Sequence, residues 1–226
     1  MSHKSQMDFF EKVIRQYKNP FAGKVLDIGS LDINGGPHQL ISPREYVGVD
    51  LAEGKNVTLI SRGEKVNFED SYFDVTMSSE CFEHNPEWQQ TLINMIRQTS
   101  KEGLVVFSCA TFGRRKHGTS DSADKGKSAP LAVAIGQEYY SNVKGRDVKK
   151  IANKYFMPSS YFIIYDFSHR DLFFCGLNSG DIRELKKAIL SNKSVTESFI
   201  KYLIRLLISP SHIVYNLKML LRHFRN

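Results

Sequence analysis

Two short apolar runs in this chain each deliver a carboxylate. Lys24-Val25-Leu26-Asp27-Ile28-Gly29-Ser30 turns on a glycine and a serine, and Tyr46-Val47-Gly48-Val49-Asp50 follows. Two buried parallel strands, each with an acid at its carboxyl end, suit a ligand that lays hydroxyl and amine groups across the strand tips. Gly29 relaxes steric limits where backbone must approach a ligand. Ser30 keeps that approach narrow and adds a hydroxyl. Asp50 stands 21 residues after Gly29, and an acid at that distance commonly takes ribose hydroxyls. Asp27 taken alone fits a turn cap on local backbone N–H groups equally well. The spacing by itself also suits an NAD-dependent or nucleotide-sugar enzyme. Two details argue against that. The turn continues as Gly29-Ser30-Leu31-Asp32-Ile33-Asn34-Gly35-Gly36 and lacks a full G-x-G-x-x-G. Asp27 also precedes the first glycine, where it would repel a pyrophosphate. A ligand with one nucleoside and a cationic amino-acid part is the better electrostatic match.

The elements that must hold these residues follow from apolar spacing. Asp8 to Tyr17 reads as a helix, stopped by Asn19-Pro20. Strands are expected at 23–28, 45–50, 57–60, 73–78 and 103–108, the last uninterrupted by polar residues and so central. Pro86 to Ser100 reads as a helix with proline near its start. Thr111 to Ser128 changes character: it is rich in Gly, Ser, Asp and Lys and reads as a mobile loop or insertion. Asp147 to Tyr155 is expected to be a helix. Ser160 to Asp166 and Asp171 to Gly176 are two strands close enough for a hairpin. Alternating strands and helices predict an α/β fold, a doubly wound, mainly parallel, Rossmann-like seven-stranded sheet. The hairpin would add an antiparallel edge strand, and a helical tail follows.

Composition excludes several classes. The 226 residues are 41% hydrophobic and 24% charged, an ordinary globular balance. The apolar runs fall short of a membrane span, and the first ten residues lack the apolar stretch of a signal peptide. Cys81, Cys109 and Cys175 are far apart and odd in number, which disfavours a disulfide framework or a structural zinc site. A cytoplasmic setting is expected. Of the net charge of +7, residues 179–226 carry +6, with nine cations against three acids. No nucleic acid partner is expected, because the remainder is nearly neutral. The division is therefore a domain at 1–178 and a basic amphipathic extension at 179–226. Helices are expected at 181–190, 196–208 and 212–224. The extension suits either packing on protein or peripheral contact with the inner face of the membrane.

At its motifs the chain resembles the class I S-adenosylmethionine-dependent methyltransferases, small-molecule branch of the type 11 kind. Val25 to Ser30 is similar to their first motif and Tyr46 to Asp50 to their second. Phe73-Asp74-Val75-Thr76-Met77-Ser78-Ser79-Glu80-Cys81-Phe82-Glu83-His84 is similar to their fourth-strand motif with its Glu-His ending, and Leu104 to Ser108 to the fifth strand. The resemblance covers Gly23 to about Gly176. It implies S-adenosyl-L-methionine as cofactor, with Asp27, Gly29 and Ser30 at its methionine end. Asp50 and Leu51 would hold the ribose and adenine edge, and Ser79 and Glu80 would lie beneath. Relatives place an acid just upstream of the fourth strand, where this chain has Arg62. Either Gly63 and Glu64 supply the adenine contact or that contact is weaker.

The resemblance further implies a small-molecule or glycan acceptor near Glu83 and His84. Methyl transfer to a hydroxyl gains from a general base, and His84 and His117 are the histidines placed for it. His84 alternatively bonds locally before Asn85-Pro86. Arg114 lies in a basic run suited to an anionic acceptor, or to solvent. Tyr139 and Tyr140 suit stacking on a sugar or ring, or core packing. No metal is expected, because the acids at the strand ends are already assigned to the cofactor. A non-catalytic cofactor-binding subunit is the alternative of a different class. The oligomeric state is left open.

Overall fold

The computed structural model describes residues 4–191. Six helices and seven strands are formed among them. They are α1 (Lys4–Gln16), α2 (Lys18–Phe21), β1 (Lys24–Ile28), β2 (Glu45–Asp50), β3 (Leu59–Ile60), β4 (Phe73–Ser79), α3 (Trp88–Gln98), β5 (Thr99–Ala110), α4 (Pro130–Ala134), α5 (Gly145–Tyr155), β6 (Tyr161–Asp166), β7 (Asp171–Leu177) and α6 (Arg183–Leu190). One sheet runs in the order β3-β2-β1-β4-β5-β7-β6. β1 to β5 are parallel to one another, and β7 is antiparallel to both β5 and β6.

The hairpin differs from expectation in one respect. The antiparallel strand β7 is not at the edge, because it fills the space between β5 and β6. The long connection from β5 carries the chain two strand positions out before β6 begins. The tight turn Phe167 to Arg170 then returns it inward as β7. β7 is buried along its whole length. β6 alternates half-buried and buried residues, as the outermost strand with a single paired edge.

Side chains alternate across the strands and sort into two cores. On one face Leu26, Ile28, Val105, Phe107, Leu172 and Phe174 pack beneath α3 and α5, through Leu92, Met95, Val148 and Ile151. On the other, Val25, Met77, Val106, Phe173 and Cys175 meet Phe9, Phe10 and Val13 of α1 and Leu185 and Ile189 of α6. Phe107 stacks on Phe174 with ring centroids 4.9 Å apart, and Phe9 on Phe173 at 4.8 Å. α6 thus packs on the sheet through its apolar stripe. The helices expected at 196–208 and 212–224 lie outside the described residues. Among the described residues, no helix is long and apolar enough to cross a membrane.

α1 starts earlier than its apolar residues suggest. Gln6 lies one turn before Phe9 and Phe10 on the same buried face. Its amide donates to Ser79 Oγ at 2.9 Å and to Glu80 Oε1 at 3.1 Å. The first helix therefore reaches the carboxyl end of β4, where the sheet opens toward the site.

Candidate active site

A cavity of about 410 Å³ lies beyond the carboxyl ends of β1, β2 and β4. Asp27, Gly29, Ser30, Asp50, Leu51, Gly63, Glu64, Ser79, Glu80, His84 and Tyr139 all line it. Glu83, Arg114, His117 and Tyr140 do not. Parallel strands explain the convergence: their ends lie side by side, so residues distant in sequence share one rim.

The β1 turn is built for close approach. Gly29 has φ +78°, and a Cβ there would sit 2.5 Å from Cys81 Cβ. Only glycine fits. Asp50 is held by backbone: Leu31 N–H donates to Oδ2 at 3.1 Å and Leu51 N–H to Oδ1 at 2.8 Å. Each oxygen keeps a lone pair for a ligand hydroxyl. Asp27 is buried and accepts a bond from the Tyr46 hydroxyl at 2.7 Å. Tyr46 in turn accepts from Asn56 Nδ2 at 2.6 Å, which also bonds Ser30 O at 2.9 Å. Burial pushes the Asp27 carboxyl up to about 7, against the opposing pull of the Tyr46 bond. A buried acid of this kind gains from a cationic ligand.

Sequence reasoning missed the roof. Ser128, Ala129, Pro130, Leu131, Ala132, Gln137 and Glu138 line the cavity from the β5–α5 connection. The expected mobile loop at 111–128 is a hydrogen-bonded cover. Asp124 Oδ1 accepts from Gly118 N–H at 2.9 Å and its Oδ2 from Ser128 N–H at 3.0 Å, while Thr119 and Ser122 are buried. The signal available was Asp124 itself, an acid in a stretch rich in Ser, Lys and Gly that can bond nearby N–H groups. Arg62, noted as a departure, reaches across the mouth and donates to Gln137 Oε1 at 2.6 Å. It joins the β3–β4 loop to the roof.

Arg114 lies outside the cavity lining and is engaged with β7. Its Nη1 lies 3.2 Å from Asp171 Oδ1 and also donates to His169 O, because a fully buried acid on β7 draws the nearest guanidinium. Glu80, with φ +52°, has its carboxyl raised by burial and then by Glu83, with Arg114 opposing.

Glu83, His84 and His117 form the second polar group. Glu83 is fully buried and neither carboxylate oxygen has a hydrogen-bond partner. Burial pushes this carboxyl up to about 7. His84 Nδ1 lies 3.2 Å from Tyr139 O, and His117 Nδ1 lies 3.0 Å from Arg115 O. Burial lowers both imidazoles to about 4. The rings meet edge to face with centroids 5.0 Å apart, and Tyr140 packs on both. A Cβ at Gly118 would fall 2.4 Å from His84 Cε1. His117 reaches His84 only because the cover folds back over the β4 end.

Residues 26–107, from β1 to β5, match the family model described as a methyltransferase domain. That stretch of the chain is similar to methyltransferase domains. No curated protein matches it. Similar solved structures include the 1,6-didemethyltoxoflavin-N1-methyltransferase of Burkholderia thailandensis, with bound 1,6-didemethyltoxoflavin and S-adenosylhomocysteine. It is 12% identical with TM-score 0.51, over 77% of this chain and 78% of that one. An S-adenosylmethionine-dependent methyltransferase of Archaeoglobus fulgidus is 16% identical with TM-score 0.50, over 76% and 94%. A protein of Pyrococcus horikoshii is 15% identical with TM-score 0.51, over 77% and 90%. At these identities the likeness is one of fold.

The donor set of the cavity suits a ligand that carries both a diol and an ammonium. Asp50 offers a pre-oriented carboxylate to a diol. Asp27 offers a buried acid to an ammonium, and Gly29 leaves room against the β1 turn.

Proposed function

We propose that this chain is an S-adenosylmethionine-dependent methyltransferase that acts on a small-molecule or glycan acceptor, at oxygen. In this reading Asp50 and Leu51 hold the nucleoside, and Asp27, Gly29 and Ser30 hold the amino-acid end. Ser61 to Glu64 form the adenine wall, where Gly63 and Glu64 line the cavity and Arg62 turns to Gln137. When bound, S-adenosylmethionine supplies an electrophilic methyl group on its sulfonium. The chain's own task is to align a nucleophile and exclude water.

One observation carries the oxygen assignment. His84 lines the cavity while its buried Nε2 has no hydrogen-bond partner. Its other nitrogen is engaged with Tyr139 O, so the Nε2 lone pair is free to take a proton from an acceptor hydroxyl. Glu83 and His117 stand directly behind it. Tyr139, on the cavity wall, is placed for a sugar or ring, while Tyr140 serves by packing on the histidines. The Burkholderia neighbour is an N1-methyltransferase, so the fold alone does not select oxygen. The histidine cluster is what supports oxygen in this reading.

The test is methyl transfer from labelled S-adenosylmethionine to a panel of sugars, phenols, carboxylates and amines. Methyl ethers from sugars or phenols are expected. His84→Ala should depress turnover while S-adenosylhomocysteine still binds. Products methylated only at nitrogen would overturn the oxygen assignment.

A further inference from the structure

We propose that Glu83, His84 and His117 form a binding site for a divalent first-row transition ion of the zinc type, beside the cofactor cavity. One ligand atom from each residue lies within 4.8 Å of the other two. His117 Nε2 is 3.8 Å from Glu83 Oε1. Bonds of about 2.0–2.2 Å to a shared ion place ligand atoms roughly 3–4 Å apart, so shifts of under about 1 Å close the set.

The argument rests on what the three groups present to each other. Each imidazole engages a backbone carbonyl through Nδ1, His84 with Tyr139 O and His117 with Arg115 O. A carbonyl accepts only, so Nδ1 carries the hydrogen in the neutral ring and Nε2 keeps a lone pair. Glu83 adds two carboxylate oxygens, fully buried and without a hydrogen-bond partner. Three ligand groups thus stand together, and among the described residues no side chain donates to the Glu83 carboxylate. Buried acceptors without side-chain donors are destabilising. A proton can satisfy one pair, whereas a cation satisfies all three. Anchoring of Nδ1 on a carbonyl is also the arrangement that orients histidine as a metal ligand. Two imidazoles and one carboxylate are a borderline set matched to zinc, iron or manganese rather than to magnesium or calcium.

Three protein ligands leave coordination positions open. His84 belongs to the cavity wall, so an open position can face an acceptor there. With its Nε2 on the ion, His84 would no longer be the base; the ion would hold the acceptor oxygen and acidify its hydroxyl, whose proton would pass to water. That role rests on the proposed methyl transfer, while ion binding rests on the cluster alone. Gly118, Arg115 and Tyr140 build the support: the glycine lets the cover lie against His84, Arg115 supplies the carbonyl, and Tyr140 fixes both rings. The absence of a metal expected from the strand-end acids is revised on this ground, since none of those acids is used here.

The experiment is a zinc titration of the full chain after chelation and dialysis, read by calorimetry and elemental analysis. S-adenosylhomocysteine affinity is measured on the same samples. One zinc per chain is expected, with visible bands when cobalt replaces it. Loss of zinc in His117→Ala and in Glu83→Gln, with S-adenosylhomocysteine affinity kept, would support the site. His117 is partly exposed and outside the cavity wall, so its variant keeps the test open if Glu83→Gln folds poorly. The site is falsified if the wild-type chain takes up no stoichiometric zinc, or if both variants bind it as the wild type does. That outcome leaves the two histidines and Glu83 as a proton-transfer group. Failure of the wild-type chain to bind S-adenosylhomocysteine would count against the methyltransferase reading instead.

Discussion

Asp27 and Asp50 both end strands, yet they are prepared differently. Asp50 receives two backbone N–H groups, which keep it oriented for hydroxyls. Asp27 receives only a tyrosine hydroxyl and is buried. Replacing either with alanine is expected to abolish S-adenosylhomocysteine binding in calorimetry. For Asp50, two bonds to a charged group at about 1.5–3 kcal/mol each correspond to at least 100-fold in affinity, roughly. Asp27 also sets a pH dependence. Its carboxyl, near 7 in the free protein, faces Tyr46 and Asp50 on β2, and Cys81 after β4. A cationic ligand needs it ionised, so binding at pH 6 must expel a proton. Affinity for the cofactor should therefore rise between pH 6 and pH 8, by up to about tenfold per unit below 7. Asp27→Asn should flatten the profile, and a flat wild-type profile would refute the role. Stability moves the other way. The folded value lies above the unfolded one, so the native state holds the extra proton between about 4 and 7. Stability from this group is full below about 4 and is lost as pH rises through 7.

At the scale of elements, the cover decides whether the histidines meet. Gly118 has φ +70°, and its missing Cβ is where His84 Cε1 would be struck. Gly118→Ala should push His84 and His117 apart. Turnover should fall, while S-adenosylhomocysteine affinity changes little, because the β1 and β2 ends are untouched. Equal loss of both would show that the cover is needed for the cofactor as well. The sheet beneath must stay rigid for any of this. Phe107 is fully buried between Phe82 and Phe174 at centroid distances of 4.7 and 4.9 Å. Phe107→Ala is expected to cost about 3–5 kcal/mol in urea unfolding. The strand β5 was legible from its apolar run. The inner position of β7 was not, since a hairpin satisfies local sequence rules at the edge or one place inward. The length of the connection from β5 to β6 selects between them.

For the whole molecule, charge and cavity residues belong to different parts of the sequence. The cavity lies at the strand ends of the domain, whereas most of the net positive charge belongs to residues 179–226. α6 packs on the sheet through Leu185 and Ile189, and the cations beyond it remain the proposed contact with an anionic membrane surface. The double variant Lys201→Glu, Arg205→Glu should lose co-sedimentation with anionic vesicles and keep S-adenosylhomocysteine binding. Co-sedimentation equal to that of the wild-type chain would remove the membrane contact from the proposal.

The sequence by itself determined the strand-end acids, the β1 turn and the order of strands up to β5. These depend on contacts within a few residues: apolar alternation selects strands, glycine permits the turn, and an acid follows at a set distance. Tertiary structure alone decided three things. It brought Gln6 to Ser79, spent Arg114 on Asp171, and set His117 against His84 across 32 intervening positions. Each depends on how a connection folds back over the sheet, and on which buried charge or lone pair is nearest once it has. Local pattern carries no record of that distance.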